Sequence, residues 1–349
     1  MIKPFLTRTR WILAAVVIAA AGVWPAVAQN GRNPPATPPA QSTPAPQAKS
    51  SQVVKAPQPV QTAQKLLLTL PNKDGSVKVC VIGDSGSGEK GQFEIANVMT
   101  EYRKTFVFER VIMLGDNIYT SPFQTTQGPK DFKAKFELPY KALLDQNVKF
   151  YAALGNHDDQ NNRNYPLFNM NGLRYYSHGL KNVRFFVLDS DKLDPDQLKW
   201  IEEELKNSKD EWKIVYFHHP LYSDGGAHGS SIELRVVLEP IFVKYGVNVV
   251  FQGHDHIYER VTTQKGIQYF VEGASGKIRE GDTRKAPTAA AVYDEDRSFM
   301  LIEFIGPEMF FQTISRTGQV VDSGSIRAHA GPVPVATPTE TSGKGGLSR

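Results

Sequence analysis

Five short apolar runs each pass, at their carboxyl end, into a turn that carries Asp, Asn, Tyr or His. Val77–Ile82 leads into Gly83-Asp84-Ser85-Gly86, and Val111–Leu114 into Gly115-Asp116-Asn117-Ile118-Tyr119. Val148–Leu154 leads into Gly155-Asn156-His157-Asp158, Lys213–Phe217 into His218-His219-Pro220, and Val247–Phe251 into Gly253-His254-Asp255-His256. Runs of this length and β-branched content read as strands. The stretches Gln92–Arg103, Asp131–Leu144, Asp194–Leu205 and Ser231–Tyr245 between them carry helical spacing. Alternation of this kind predicts a layered α/β fold with buried sheets, in which ligands sit beyond the carboxyl ends of the strands.

Six of the eight histidines fall in or shortly after those five turns. The chain has one cysteine, Cys80, inside the first strand-type run, which excludes a disulfide framework and any thiolate metal cluster. Cys80 reads as core. Oxygen and imidazole donors without thiolate suit iron, zinc or manganese. The donors exceed the needs of one ion and suit two ions about 3.5–4 Å apart that share a bridging carboxylate.

The ordered set GDxG, GDxxY, GNH, HxP and GHxH resembles the purple acid phosphatase branch of the calcineurin-like metallophosphoesterases, over about residues 75–260 with an extension to 328. Gly86 stands where the non-purple branches carry histidine, and Tyr119 is supplied instead. The short segment 64–76 leaves no space for the extra β-domain of the plant enzymes, so the chain resembles the smaller, mammalian-like form. The resemblance implies a four-layer α/β/β/α sandwich, with a dimetal site at the edge where the strands end. It implies an Fe(III) held by Asp84, Asp116, Tyr119 and His256, and a divalent iron, zinc or manganese held by Asp116, Asn156, His218 and His254, with Asp116 bridging. It also implies acid phosphatase-like hydrolysis of a small phosphorylated substrate by hydroxide formed on the metals. Asn156 and His157 would lie at the phosphate, and His228 would protonate the leaving group. A phosphodiesterase or nucleotidase is the alternative on the same ions, and a catalytically silent secreted binding protein is a further one.

Other readings of the same residues are weaker. Gly83-Asp84-Ser85-Gly86 imitates the surroundings of a serine nucleophile, but the first histidine is His157, the wrong chain order. The Gly83–Gly88 stretch imitates a phosphate loop, but Lys90 and Gly91 misplace the lysine and the hydroxyl. An adjacent pair in extended chain points to opposite faces, so only one of His218 and His219 ligates easily; HxP selects His218 and leaves His219 to an outer or substrate-side role. His178 and His329 read as non-catalytic. Tyr258-Glu259-Arg260 reads as bracing with an internal ion pair.

Residues 1–28 read as an export signal: Lys3, Arg8 and Arg10, an apolar Trp11–Val23, then Ala26-Val27-Ala28 before the cleavage point. The apolar run is shorter than the roughly 20 residues of a span, so no stable membrane anchor is expected after cleavage. The protein is therefore expected to be secreted or periplasmic. Residues 29–63 and 330–349 have a Pro-, Ala- and Thr-rich linker composition, joined by Gln and Ser in the first stretch, and leave 64–329 as the catalytic domain. Without residues 1–28 the chain carries 37 basic and 36 acidic side chains, which argues against nucleic acid as a structural partner.

Overall fold

Period-two burial along the strands sets the layers. A computed structural model describes residues 66–329 apart from 122, 123, 125 and 285–287; the signal-type segment, the linker 29–63 and the tail 330–349 lie outside the described residues. One sheet contains β1 (Val77–Ile82), β2 (Arg110–Met113), β3 (Lys149–Ala152), β11 (Ser298–Ile305), β12 (Glu308–Ser315) and β13 (Val320–Arg327), in the spatial order β13-β12-β11-β1-β2-β3. The other contains β4 (Tyr176–Leu180), β5 (Val183–Val187), β6 (Trp212–Tyr216), β7 (Val249–Gln252), β8 (Tyr258–Val261), β9 (Gln268–Glu272) and β10 (Ala289–Tyr293), ordered β10-β8-β9-β7-β6-β5-β4.

In β6, Trp212, Ile214 and Tyr216 face the first sheet, while Val215 faces away with Phe217 beyond the strand end; β5 and β7 alternate in the same way. The outward-facing set packs against Ile201 and Leu205 of α4 (Pro195–Asn207) and Leu238, Phe242 and Val243 of α5 (Ile232–Tyr245). On the far side, Ile95, Met99 and Tyr102 of α1 (Lys90–Arg103) are buried against the first sheet, with the Tyr102 ring edge-on to Phe299 at 6.1 Å. The result is the expected α/β/β/α sandwich. β1, β2 and β3 are mutually parallel, as are β5, β6, β7 and β9, so each sheet delivers its turns to a single edge.

Trp212 staples the two sheets. It is fully buried, lies edge-on to Phe304 of β11 at 5.1 Å, and donates from Nε1 to the Gly306 carbonyl at 2.8 Å. Trp212→Ala is expected to cost about 3–5 kcal/mol, read as a lower urea midpoint; an unchanged midpoint would show the contact to be dispensable.

The helix expected over Asp131–Leu144 is broken. The chain forms α2 (Pro129–Phe132), a π-helical turn Lys133–Glu137 and α3 (Lys141–Leu144). Pro139 has no N–H to continue the ladder; Leu138 before it is still helical, with its N–H reaching back to the Lys133 carbonyl at 2.9 Å, and the backbone leaves helical geometry at Tyr140, with φ of −96° and ψ of 13°. The internal ion pair expected in Tyr258-Glu259-Arg260 is also absent. Strand alternation sends the two side chains to opposite faces. Arg260 pairs with Asp322 at 2.8 Å, and Glu259 accepts from the Asp224 N–H at 2.7 Å.

Candidate metal centre

The five turns meet at one edge of the sandwich. Asp84, Asp116 and His254 follow β1, β2 and β7 at equivalent positions, and all three adopt left-handed backbone, with φ of 50°, 50° and 71°. Such conformations cost about 1–3 kcal/mol each for non-glycine residues and concentrate where function over-determines them. The preceding glycines make space for neighbouring donors. A Cβ on Gly115 would lie 2.6 Å from His218 Nδ1, and one on Gly155 would lie 2.2 Å from Asp116 Oδ1. Contacts across the sheets close the site: the His254 N–H donates to Asp84 Oδ2 at 2.8 Å, and His218 Nδ1 lies 3.0 Å from the Leu114 carbonyl oxygen.

The donor atoms fall into two groups. In the first, Asp84 Oδ1, Tyr119 Oη and His256 Nε2 form a triangle with sides of 2.9, 3.1 and 3.4 Å. In the second, His218 Nε2 lies 3.0 Å from Asn156 Oδ1, 3.1 Å from His254 Nδ1 and 3.4 Å from Asp116 Oδ1. Adjacent ligand atoms on an ion with bonds near 2.0–2.1 Å are about 3.0–3.4 Å apart, so both groups have the spacing of a coordination shell. Asp116 joins them: single donor atoms of Asp84, Asp116 and His218 all lie within 4.8 Å of one another. Every residue that the motif resemblance assigned to an ion is thus gathered at this edge.

The charge balance also fits cations. Asp84 and Asp116 are buried, and among the described residues neither has a Lys or Arg within ion-pair distance; their partners of that kind are His256 and His218. Burial, opposed by His218 and reinforced by Asp116, pushes the Asp84 carboxyl well above its ordinary range. Burial and the neighbouring His218 hold His254 down at about 2, and burial with Arg279 holds His256 down at about 4. These imidazoles therefore stay neutral, with lone pairs available to an ion.

A family model for calcineurin-like phosphoesterases matches residues 77–258, the span that carries all five turns and leaves only the C-terminal strands outside it. The chain belongs to the calcineurin-like phosphoesterases. It is similar to purple acid phosphatase 17 of Arabidopsis thaliana, 28% identical over 270 residues, covering 66% of this chain and 78% of that one. It is also similar to tartrate-resistant acid phosphatase type 5 of Oryctolagus cuniculus, 26% identical over 249 residues, covering 59% and 76% respectively. Among solved structures, a purple acid phosphatase from yellow lupin seeds shares the fold with a TM-score of 0.61 at 19% identity, covering 74% of this chain and 55% of that one. The chain is accordingly a dimetal hydrolase of phosphate esters.

Around the donors, this phosphoesterase uses two aspartates that motif reading passed over. Asp158 is buried behind the second and third turns and accepts from the N–H groups of Gly155, Asn117 and Ile118 at 2.9, 3.1 and 3.0 Å, and from Asn117 Nδ2 at 2.8 Å. Burial and the nearby Asp116 push its carboxyl up to about 8. Asp255, between the two histidines of the last turn, accepts from Ser223 Oγ at 2.6 Å and from the Gly229 and His228 N–H groups at 3.0 and 3.3 Å. It thereby ties the loop that carries His228 to the metal-binding turn. The available signal was positional: each is an acid adjacent to a histidine in a turn already singled out.

His228 is exposed, with its ring 4.1 Å from that of His254. His157 is exposed with its ring beside Tyr119, and its backbone N–H donates to Asp116 Oδ1 at 2.9 Å. The chain bends after β6, so the alternation expected of extended chain does not hold for His218 and His219. Both rings turn toward His254, at 4.9 and 4.5 Å. His178 lies away from the site, stacked on Tyr151 and Phe185 and hydrogen-bonded to Arg110. Cys80 is buried core.

Proposed function

We propose that this phosphoesterase hydrolyses small phosphate monoesters in the manner of a purple acid phosphatase. The observation that carries the reading is the pair of donor groups with Asp116 between them. Asp84, Tyr119 and His256, with Asp116, would hold Fe(III); Asn156, His218 and His254, with Asp116, would hold a divalent iron, zinc or manganese. When bound, two such ions neutralise phosphoryl charge and lower the pKa of a coordinated water. Asn156 and His157 orient the phosphate at the exposed side of the centre, and His228 delivers a proton to the departing oxygen. Metal-replete protein is expected to turn over a phosphomonoester faster than a diester; the reverse preference would favour a phosphodiesterase on the same ions, and no turnover of either would favour a binding protein.

The Fe(III) assignment has a visible test. The Tyr119 hydroxyl donates to Asp84 Oδ1 at 2.9 Å, and burial beside Asp84 and Asp116 pushes its pKa far up. Only a strongly acidic cation would take it as phenolate, and a phenolate bound to Fe(III) absorbs visible light by charge transfer. Iron-loaded, oxidised protein is expected to be pink to purple, and Tyr119→Phe to bleach it with the iron retained. A coloured Tyr119→Phe variant would remove Tyr119 from the ligand set.

Export by residues 1–28 belongs to the same proposal. Among the described residues no helix is long and apolar enough to cross a membrane. All of the proposed site residues lie within 66–329, and among the described residues a buried core supports them. A 64–329 variant is expected to keep full metal loading and turnover; a large loss of either would show that the flanking segments contribute to the site.

A further inference from the structure

We infer that His219 supplies a third imidazole to the second ion and that Ser190 holds it in the ligating tautomer; this rests on the dimetal reading above. One ring nitrogen each of His218, His219 and His254 lie within 4.8 Å of one another. Ligand atoms on one octahedral ion with bonds near 2.1 Å are about 3.0 Å apart when adjacent and about 4.2 Å apart when opposite, so this spacing is close to that of a common coordination shell. His219 reaches this place because the chain bends after β6. Its ring lies 5.0 Å from that of His218 and 4.5 Å from that of His254.

The support behind the ring points the same way. The Ser190 hydroxyl, almost fully buried beyond the end of β5, lies 2.9 Å from His219 Nδ1 and accepts from the His219 backbone N–H at 3.0 Å. A hydroxyl oxygen has two lone pairs. With one taken by the backbone N–H, the other can accept Nδ1–H, which leaves Nε2 unprotonated and open to an ion. Imidazole ligands are commonly fixed by an outer hydrogen bond of this kind. The two donor groups then differ in chemistry. The first has one imidazole among carboxylate and phenol oxygens, whereas the second has three imidazoles beside Asn156 and Asp116. An imidazole-rich shell suits zinc better than manganese.

Zinc and manganese titrations of the full chain against a chromogenic chelator test this, together with the visible d–d spectrum of the cobalt(II)-loaded protein. His219→Ala is expected to weaken zinc binding at one of two sites by more than the roughly 10–100-fold that loss of an outer partner alone costs, to weaken manganese binding less, and to alter the cobalt spectrum. Ser190→Ala, which keeps the imidazole, is expected to move zinc affinity in the same direction by a smaller factor, and it carries the test if His219→Ala does not fold. Wild type that takes up two zinc ions, with both variants folded and unchanged in affinity and cobalt spectrum, would overturn the role of His219 while leaving the dimetal reading intact. Wild type that fails to take up two ions would overturn both.

Discussion

Asp116→Ala is expected to lose both ions and to lower kcat/KM for a phosphomonoester by at least about 10³-fold, since removing one preorganised electrostatic contact alone costs about 10²–10³. The size follows from where the carboxylate sits. Asp116 follows β2 in the first sheet, yet its Oδ1 lies 3.4 Å from His218 Nε2, a side chain delivered by β6 of the second sheet. Its donor atom and those of Asp84, from the first group, and His218, from the second, all lie within 4.8 Å of one another. Elemental analysis of Asp116→Ala should therefore find neither ion. Asn156→Ala removes a donor from the second group alone and should cost one ion, with the colour retained. An Asp116→Ala protein that still holds two ions would show that the two groups do not share this carboxylate. The left-handed backbone at Asp116 remains strained for alanine, so metal content must be read on protein shown to be folded.

What the sequence made legible follows a physical division. The strands that carry donors are short, largely apolar and followed by a turn, so β1, β2, β3, β6 and β7 stood out, with boundaries shifted by no more than two residues. Some of the remaining strands carry neither signal. β10 is Ala289–Tyr293, whose three alanines carry no β-type signal, and it is a strand because β8 offers it a partner edge. β13 is largely polar and glycine-containing, and it is held by its ladder with β12. Tertiary pairing decides such segments, and periodicity does not report it. At the site, the donors were legible because metal chemistry restricts residue types and spacing. Asp255 and Asp158 were not, because each accepts backbone N–H groups from another turn or loop, Gly229 for Asp255 and Asn117 and Ile118 for Asp158, and those partners become neighbours only after folding. His218 and His219 turn their rings to the same side for a related reason: opposite-face reasoning applies to extended chain, and the chain bends just before them.

His228→Ala is expected to lower kcat for alkyl phosphates by about 10²–10⁴-fold and to leave turnover of aryl phosphates with stable phenolate leaving groups far less affected. An alkoxide needs a proton as it departs, whereas a stable phenolate does not, so a proton donor is revealed by the difference between the two substrates. The placement favours that role over liganding. His228 has its ring face against His254, is exposed, and belongs to neither donor triangle. Its loop is tied down by Asp255 through Ser223 and the N–H groups of Gly229 and His228, so the ring is carried by a braced turn. Partial burial, and then the charge of Arg279, lower its pKa below that of an ordinary histidine, which makes it a stronger acid. The sign of the pH dependence follows. The proton-donating form is populated only below the lowered pKa, so the alkyl-phosphate rate should fall as pH rises through a point on the acid side of 6.5, the ordinary imidazole value. In His228→Ala that limb should disappear for alkyl substrates, while the aryl profile changes little. Asp255→Ala, which frees the loop and leaves the imidazole in place, should produce a smaller loss with the same substrate bias. Equal losses on alkyl and aryl esters in His228→Ala, with metal content unchanged, would instead assign His228 to binding the phosphate.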